Sequence, residues 1–140
     1  MKFTPIIPII LCISMPIFAI AVKTKSVGVN GTIICDGKPI SDGEIELYDN
    51  KFAMEPESLL AKTRTDAHGR FRITGSSKKS IFSPQFTVSH KCRSKLCKRR
   101  MYLPIPEKYT TSGSNPREIF DVGVIDVKRK FATETKICPT

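Results

Sequence analysis

The sequence lacks a long apolar run anywhere beyond its first 21 residues. The early run from Ile6 to Ala21 is short against the about 20 apolar residues that cross a bilayer, and prolines interrupt it. A single basic residue before the run, Lys2, and the small residues that end it are typical of a secretory signal peptide. We therefore predict a signal peptide over 1–21, a mature domain over 22–140, and a secreted, extracellular product with no transmembrane segment after cleavage.

Histidine is also scarce, because the chain has only His68 and His90, 22 positions apart. No nucleophile motif lies near either residue, so general acid–base catalysis has little support. His68 precedes Gly69 in a turn and is expected to be exposed. His90 is in phase with Phe86 and Val88, which predicts a buried structural histidine. We predict no catalytic residue and no cofactor.

Four cysteines remain once the predicted signal peptide, which contains Cys12, is removed. They are Cys35, Cys92, Cys97 and Cys138. An even set of cysteines in an exported chain indicates two disulfides. The alternative is a zinc site that uses His90 with Cys92 and Cys97, but the loose spacing and the oxidising compartment disfavour it. We predict disulfides and no bound metal.

Positive charge dominates, with a formal net charge of +10 that falls to about +9 when Lys2 is removed. Such a chain favours anionic partners such as phospholipid head groups, sulfated glycans or acidic proteins. The cations concentrate in one segment, where Arg can donate bidentate hydrogen bonds to oxyanions. The candidate residues for an anionic partner are Lys91, Arg93, Lys95, Lys98, Arg99 and Arg100. The alternative is a solvated loop, and the predicted export disfavours nucleic acid.

Turn residues separate short runs that are rich in β-branched and aromatic residues, which predicts an all-β sandwich or barrel. In the first run, Val27, Val29, Ile33 and Cys35 share one face and are expected to face the core. Seven runs are predicted as strands, near residues 27–35, 44–49, 59–65, 70–75, 86–92, 101–103 and 119–127.

An N-glycosylation sequon, Asn30-Gly31-Thr32, lies inside the first predicted strand. Asn30 falls on the face opposite Val29, so a glycan on it would point to solvent. Asn30 is therefore a candidate glycosylation site, and the alternative is an unoccupied sequon.

Eight fragments follow one another in a characteristic order. They are Val29 to Pro39, Leu47 to Asp49, Leu59 to Ala61, Thr65 to Phe71, Pro84 to Phe86 leading to His90 to Cys92, Ile105 to Tyr109, Phe120 to Gly123, and Cys138. Together they resemble the nematode transthyretin-like family over essentially the whole mature chain. The resemblance implies a two-sheet antiparallel transthyretin-like (prealbumin-like, Ig-like) sandwich of about seven strands.

That topology implies that the first, fifth and last strands end at one pole. The resemblance thereby brings the segments Lys91–Arg100 and Lys128–Lys130 near three of the cysteines. It places Cys35 and Cys92 on strands of opposite sheets, which favours a Cys35–Cys92 disulfide together with Cys97–Cys138. A local Cys92–Cys97 disulfide together with Cys35–Cys138 stays open.

Transthyretin relatives include hydrolases that act on 5-hydroxyisourate, with a histidine near the start of the first strand and a Tyr-Arg-Gly-Ser-like tail. Here Val27-Gly28-Val29 and Cys138-Pro139-Thr140 stand at those ends, so the resemblance does not carry this activity over. We predict an extracellular recognition protein that bridges an anionic surface, phospholipid or glycan, or a cell-surface receptor. The alternative is a secreted carrier of a small hydrophobic ligand, and a hydrolase is the weakest hypothesis. The oligomeric state stays open.

Overall fold

A computed structural model describes residues 23–49 and 58–139 of the chain. The predicted signal peptide, residues 1–21, lies outside the described residues, so it stays a prediction. Among the described residues, no helix is long and apolar enough to cross a membrane. The described chain is almost entirely strands and turns, with a 3₁₀ turn at Glu107–Tyr109.

The described residues form ten strands, seven of them with five or more residues. These are β1 (Lys25–Cys35), β2 (Lys38–Pro39), β3 (Glu44–Tyr48), β4 (Leu59–Arg64), β5 (Arg70–Ser77), β6 (Gln85–His90), β7 (Lys98–Pro104), β8 (Thr111–Ser112), β9 (Ile119–Asp126) and β10 (Thr135–Ile137). Each of the seven longer strands overlaps one of the seven predicted runs, but β7 begins at Lys98, three residues before its predicted start, and β6 ends at His90, two residues before its predicted end. The short strands β2, β8 and β10 were not predicted, because two or three residues carry no periodicity that a sequence pattern can show.

The strands form two sheets that pack face to face. In the first sheet β1 is central. On one side it pairs with β5 and β2, and on the other side it pairs with β9 and β8. The second sheet has the order β10-β7-β6-β3-β4. All pairs are antiparallel except β1 with β9, which is parallel. The predicted all-β, two-sheet sandwich is therefore confirmed.

The core lies between the two sheets and follows the alternation in the sequence. In β1, the side chains of Val27, Val29 and Ile33 are fully buried. Phe71 of β5 and Phe86 of β6 meet across the sheets, with 6.2 Å between their ring centroids. Each fully buried aliphatic or aromatic side chain of this kind stabilises the fold by about 1.5–3 kcal/mol. Because one face of each strand is buried in this core, the period-two pattern of the sequence predicts where the strands lie.

The strands β1, β6 and β9 end at the same pole, as the resemblance implied. The Val127 N–H donates to the Ile34 carbonyl oxygen at 2.9 Å, and the Asp36 N–H donates to Asp126 Oδ1 at 3.1 Å. A disulfide joins Cys35, at the end of β1, to Cys92, two residues beyond β6. We call this end of the sandwich, comprising residues 35–38, 91–97 and 127–138, the disulfide pole.

Candidate functional site

Two disulfides hold the disulfide pole together. Cys35 pairs with Cys92, with 5.8 Å between their Cα atoms, and Cys97 pairs with Cys138, with 4.2 Å between theirs. This is the first of the two pairings that the sequence left open. The sulfur atoms of Cys92 and Cys97 are therefore already bonded, so the zinc alternative loses its thiolates. Loops of this length lend about 4 kcal/mol per disulfide by restricting the unfolded chain.

The loop of residues 91–97 connects β6 to β7 and is tightly turned. The Ser94 N–H donates to the Lys91 carbonyl oxygen at 3.2 Å, and the Cys97 N–H donates to Ser94 Oγ at 3.1 Å. Arg93 has a φ of 65°, in the left-handed region that costs a residue with a Cβ roughly 1–2 kcal/mol. The contacts of its side chain offset that cost.

Glu134 is the acceptor for those contacts, and only 2% of its side chain is exposed. Arg93 Nη2 donates to both carboxylate oxygens at 2.9 and 3.2 Å, and Arg99 Nη1 donates at 3.2 Å. Burial alone would raise the pKa of Glu134, but the Phe131 N–H and the two guanidinium groups outweigh it and leave the pKa lowered. Arg93 and Arg99 therefore share one carboxylate of the same chain, which leaves the three groups with a net charge of +1.

Lys98 and Arg100 lie on the outer face of the second sheet and also have acidic partners. Lys98 Nζ lies 2.8 Å from Glu44 Oε1, and Arg100 Nη2 lies 3.2 Å from Glu46 Oε1. The hydrogen bond from Lys98 is the main reason that the pKa of Glu44 is lowered, against the opposing effect of burial. These contacts pair strands β7 and β3 across β6. Four of the six candidate cations are thus bound to carboxylates.

Lys91 and Lys95 are the two candidates that stay exposed and, within the described part of the chain, make no ion pair. Other exposed cations of the disulfide pole share this condition and were not among the predicted candidates: Lys38, Arg129, Lys130 and Lys136. Lys128 pairs with Asp36 at 3.1 Å, but both side chains are exposed, so the pair contributes little. The free positive charge of the pole therefore lies at its rim.

Two exposed apolar side chains accompany these cations. Leu96 is 77% exposed and Ile137 is 47% exposed. Each is the neighbour in sequence of a cysteine of the Cys97–Cys138 bridge. A single exposed leucine is ordinary in a soluble domain, but here two apolar side chains project from a cross-linked backbone among free lysines. The β5–β6 connection makes a similar combination with Lys78, Lys79 and Ile81, which is 79% exposed, so the disulfide pole is distinguished by its cross-linked backbone.

His90 is buried beside this site, with 4% of its surface exposed, as its phase predicted. Its Nδ1 accepts a hydrogen bond from the Cys92 N–H at 3.1 Å, so the neutral ring carries its proton on Nε2. Burial lowers its pKa, so the ring is neutral at pH 7.

His68 lies exposed in a turn, as expected. In the described part of the chain, no three His, Cys, Asp or Glu side chains are grouped so as to hold a metal ion.

Asn30 lies away from this pole, on the outer face of the first sheet. It is half-buried in β1 between Arg72 of β5 and Asp121 of β9, and a cleft of about 580 Å³ opens beside it. A second cleft, of about 660 Å³, lies next to the Cys35–Cys92 bridge and is lined in part by Glu44 and Lys98. Both clefts have charged walls.

Comparison with known proteins agrees with this architecture. The model of the transthyretin-like family (TTR-52) matches residues 30–106. Transthyretin-like protein 33 of Caenorhabditis elegans is 35% identical over 84% of this chain and 85% of its own length. Transthyretin-like protein 5 is 32% identical over 93% and 96%, and transthyretin-like protein 2 is 32% identical over 83% and 84%, both from the same organism. None of these three relatives is named after a reaction.

Among solved structures, a 9R-lipoxygenase from Cyanothece aligns with 74% of this chain and 16% of its own, at 19% identity and a TM-score of 0.43. That likeness is too low to support an argument about fold or function.

Proposed function

The chain belongs to the transthyretin-like family, and from that premise we propose that it is a secreted recognition protein whose disulfide pole binds an anionic phospholipid surface. Family membership establishes the fold but not the partner, because one fold serves many functions. Two disulfides support export, since such bonds form and persist in oxidising compartments. The partner has to be argued from the pole itself.

The observation that carries the proposal is the composition of the loop of residues 91–97. Its lysines, Lys91 and Lys95, have no acidic partner among the described residues, and Leu96 between the second lysine and Cys97 is exposed. A cation close to an anionic leaflet gains about 1 kcal/mol, and burying a leucine side chain gains about 1.5–3 kcal/mol. A sulfated glycan would attract the lysines but would leave Leu96 in water. The apolar group therefore favours phospholipid over glycan.

The pole is also held in shape before any partner arrives. Two disulfides and the buried Glu134 contacts fix the loop and the C-terminal segment. A rigid loop loses little conformational entropy on binding, which leaves more of the interaction energy as affinity. The opposite pole, which includes the β5–β6 connection around Lys78 and Lys79, stays available for a receptor. This two-ended arrangement supports the proposal of a bridging role.

Vesicle binding by the purified secreted chain tests the proposal. We expect the chain to float with phosphatidylcholine vesicles that contain phosphatidylserine or phosphatidylglycerol, but not with phosphatidylcholine alone. Binding should weaken as salt is raised, because exposed charges are screened. Reversing the free charges of the loop, in Lys91→Glu with Lys95→Glu, should lower vesicle affinity at least tenfold. The matched control, Lys78→Glu with Lys79→Glu, makes the same charge change at the opposite pole and should leave affinity within about twofold.

A second variant separates lipid from glycan as the partner. Leu96→Ser removes the apolar group and no charge, so it should lower vesicle affinity at least tenfold and leave retention on heparin unchanged. Retention on heparin without any vesicle binding would replace phospholipid by glycan as the partner. Equal losses in the two charge-reversed pairs would show that net charge, and not the disulfide pole, carries the binding.

A further inference from the structure

The side-chain amide of Asn30 makes no hydrogen bond within the described part of the chain. Its Oδ1 is buried and has no hydrogen-bond partner, and no described residue accepts a hydrogen bond from its Nδ2. N-linked glycans attach through that nitrogen. Thr32, the hydroxyl residue of the sequon, lies two positions on in β1 and therefore on the same outer face. A glycan on Nδ2 would therefore break no hydrogen bond that the described part of the chain makes.

The cleft beside Asn30 is widened by an irregularity in the sheet. The pairing of β1 with β9 shifts register between Asn30 and Thr32, which is the signature of a β-bulge. Gly123 lies at the bulge with a φ of 70°, and a side chain there would meet nothing within 4 Å. The backbone of β9 therefore forms an open wall next to the asparagine.

The walls of the cleft carry donors and acceptors that suit sugar hydroxyls. Arg70 and Arg72 are exposed, and their guanidinium groups have no partner in the described part of the chain. Asp66 Oδ1 accepts the His68 and Arg70 N–H groups. Asp121 Oδ1 accepts the Gly123 N–H at 2.9 Å, so each carboxylate keeps its other oxygen available. Charges of both signs fit a neutral polyhydroxyl group better than an anion.

We propose that Asn30 is N-glycosylated and that the first sugars of the glycan lie in this cleft, between the guanidinium groups of Arg70 and Arg72 and the carboxylates of Asp66 and Asp121. The glycan then covers the outer face of the first sheet and keeps partners away from that face. Attachment rests on the export that the proposed function includes, but it needs no lipid binding, so the two proposals can fail separately.

Mass spectrometry of the full chain made in mammalian cells tests the attachment. Digestion with peptide N-glycosidase F in heavy-oxygen water should label the peptide that contains Asn30. Asn30→Gln and Thr32→Ala should abolish the label and the glycan mass, whereas Thr32→Ser should keep both. Asn115→Gln is the matched control, because Asn115 is exposed and followed by proline, outside any sequon. An unmodified Asn30 in both the secreted and the intracellular chain overturns the proposal.

The rate of digestion tests where the sugars lie. A glycan held in the cleft should be released slowly from the folded protein. Arg70→Ala with Arg72→Ala should speed that release at least fivefold, while Lys78→Ala with Lys79→Ala should leave it unchanged. Equal rates in the wild type and the arginine variant would refute the contact with the cleft, whatever the occupancy of Asn30.

Discussion

The buried side chain of His90 makes the stability of the folded protein depend on pH. Burial lowers its pKa in the folded protein below the ordinary value of 6.5. Below pH 6.5 the unfolded chain therefore binds a proton that the folded chain does not, and the folded state loses stability as the pH falls toward the lowered pKa. Above pH 6.5 both states are neutral at this residue and the effect is absent.

We predict that His90→Asn removes this slope. The asparagine Oδ1 can still accept from the Cys92 N–H, although the smaller side chain should lower stability at pH 7.5 by about 1–2 kcal/mol. Urea unfolding at pH 7.5, 6.5 and 5.5 measures both effects. Parallel losses of stability in wild type and variant over this range would show that another group titrates.

Glu134 is the residue on which the shape of the disulfide pole depends most. Glu134→Gln keeps the volume but leaves Arg93 and Arg99 without their carboxylate. We predict a loss of about 2–4 kcal/mol in the free energy of unfolding at pH 7, because the site is nearly closed to solvent. Glu118→Gln, at an exposed glutamate with no ion pair in the described residues, should change it by less than about 0.5 kcal/mol. A loss below about 0.5 kcal/mol for Glu134→Gln as well would contradict the stabilising role of the Glu134 contacts.

At the scale of elements, alternation was enough to predict the seven longer strands but not the start of β7, because Lys98–Arg100 is wholly cationic and shows no apolar period. Val27, Val29 and Ile33 of β1 are buried as their period predicted, because one face of the strand has to meet the opposite sheet. β10 was missed because Thr135–Ile137 is short and polar and is stabilised by pairing with β7, far away in sequence. The same long-range pairing brings Cys138 to Cys97.

The candidate site was predictable only in outline for the same reason. A run of cations was visible, but the acids that pair with most of them come from β3 and from the segment before β10. Which lysines stay free depends on those tertiary contacts, and no local pattern reports them. The disulfide pairing was likewise open until the sheets were in place.

Removing the Cys97–Cys138 bridge should make the loop of residues 91–97 and β10 more mobile and leave the rest of the fold unchanged. In Cys97→Ser with Cys138→Ser, we predict a loss of about 2–4 kcal/mol in stability. Amide exchange should accelerate mainly in the loop of residues 91–97 and in β10, since the core and the Cys35–Cys92 bridge remain. Uniformly faster exchange across both sheets would mean that this bridge holds the whole sandwich.

At the scale of the whole molecule, some of the cations that give the excess positive charge are held in ion pairs, while others are free to contact a partner. Ion pairs with Glu44, Glu46 and Glu134 occupy the cations next to the sheets. Lysines without an ion pair among the described residues lie at the rim of the disulfide pole and also at the opposite pole, and the proposed glycan covers the outer face of the first sheet. In the proposed function, the disulfide pole is the end that meets an anionic membrane, and the opposite pole is left for a second partner.

A tryptophan introduced at one position tests most directly which pole meets the membrane, because the chain has no tryptophan of its own. Leu96→Trp and Ile81→Trp place a reporter on opposite poles, at side chains that are 77% and 79% exposed. With vesicles of phosphatidylserine and phosphatidylcholine, we predict that emission from Leu96→Trp shifts to the blue and is quenched by brominated lipid, while emission from Ile81→Trp does not change. Blue-shifted, quenched emission from Ile81→Trp with Leu96→Trp unchanged, or no change in either, would contradict binding through the disulfide pole.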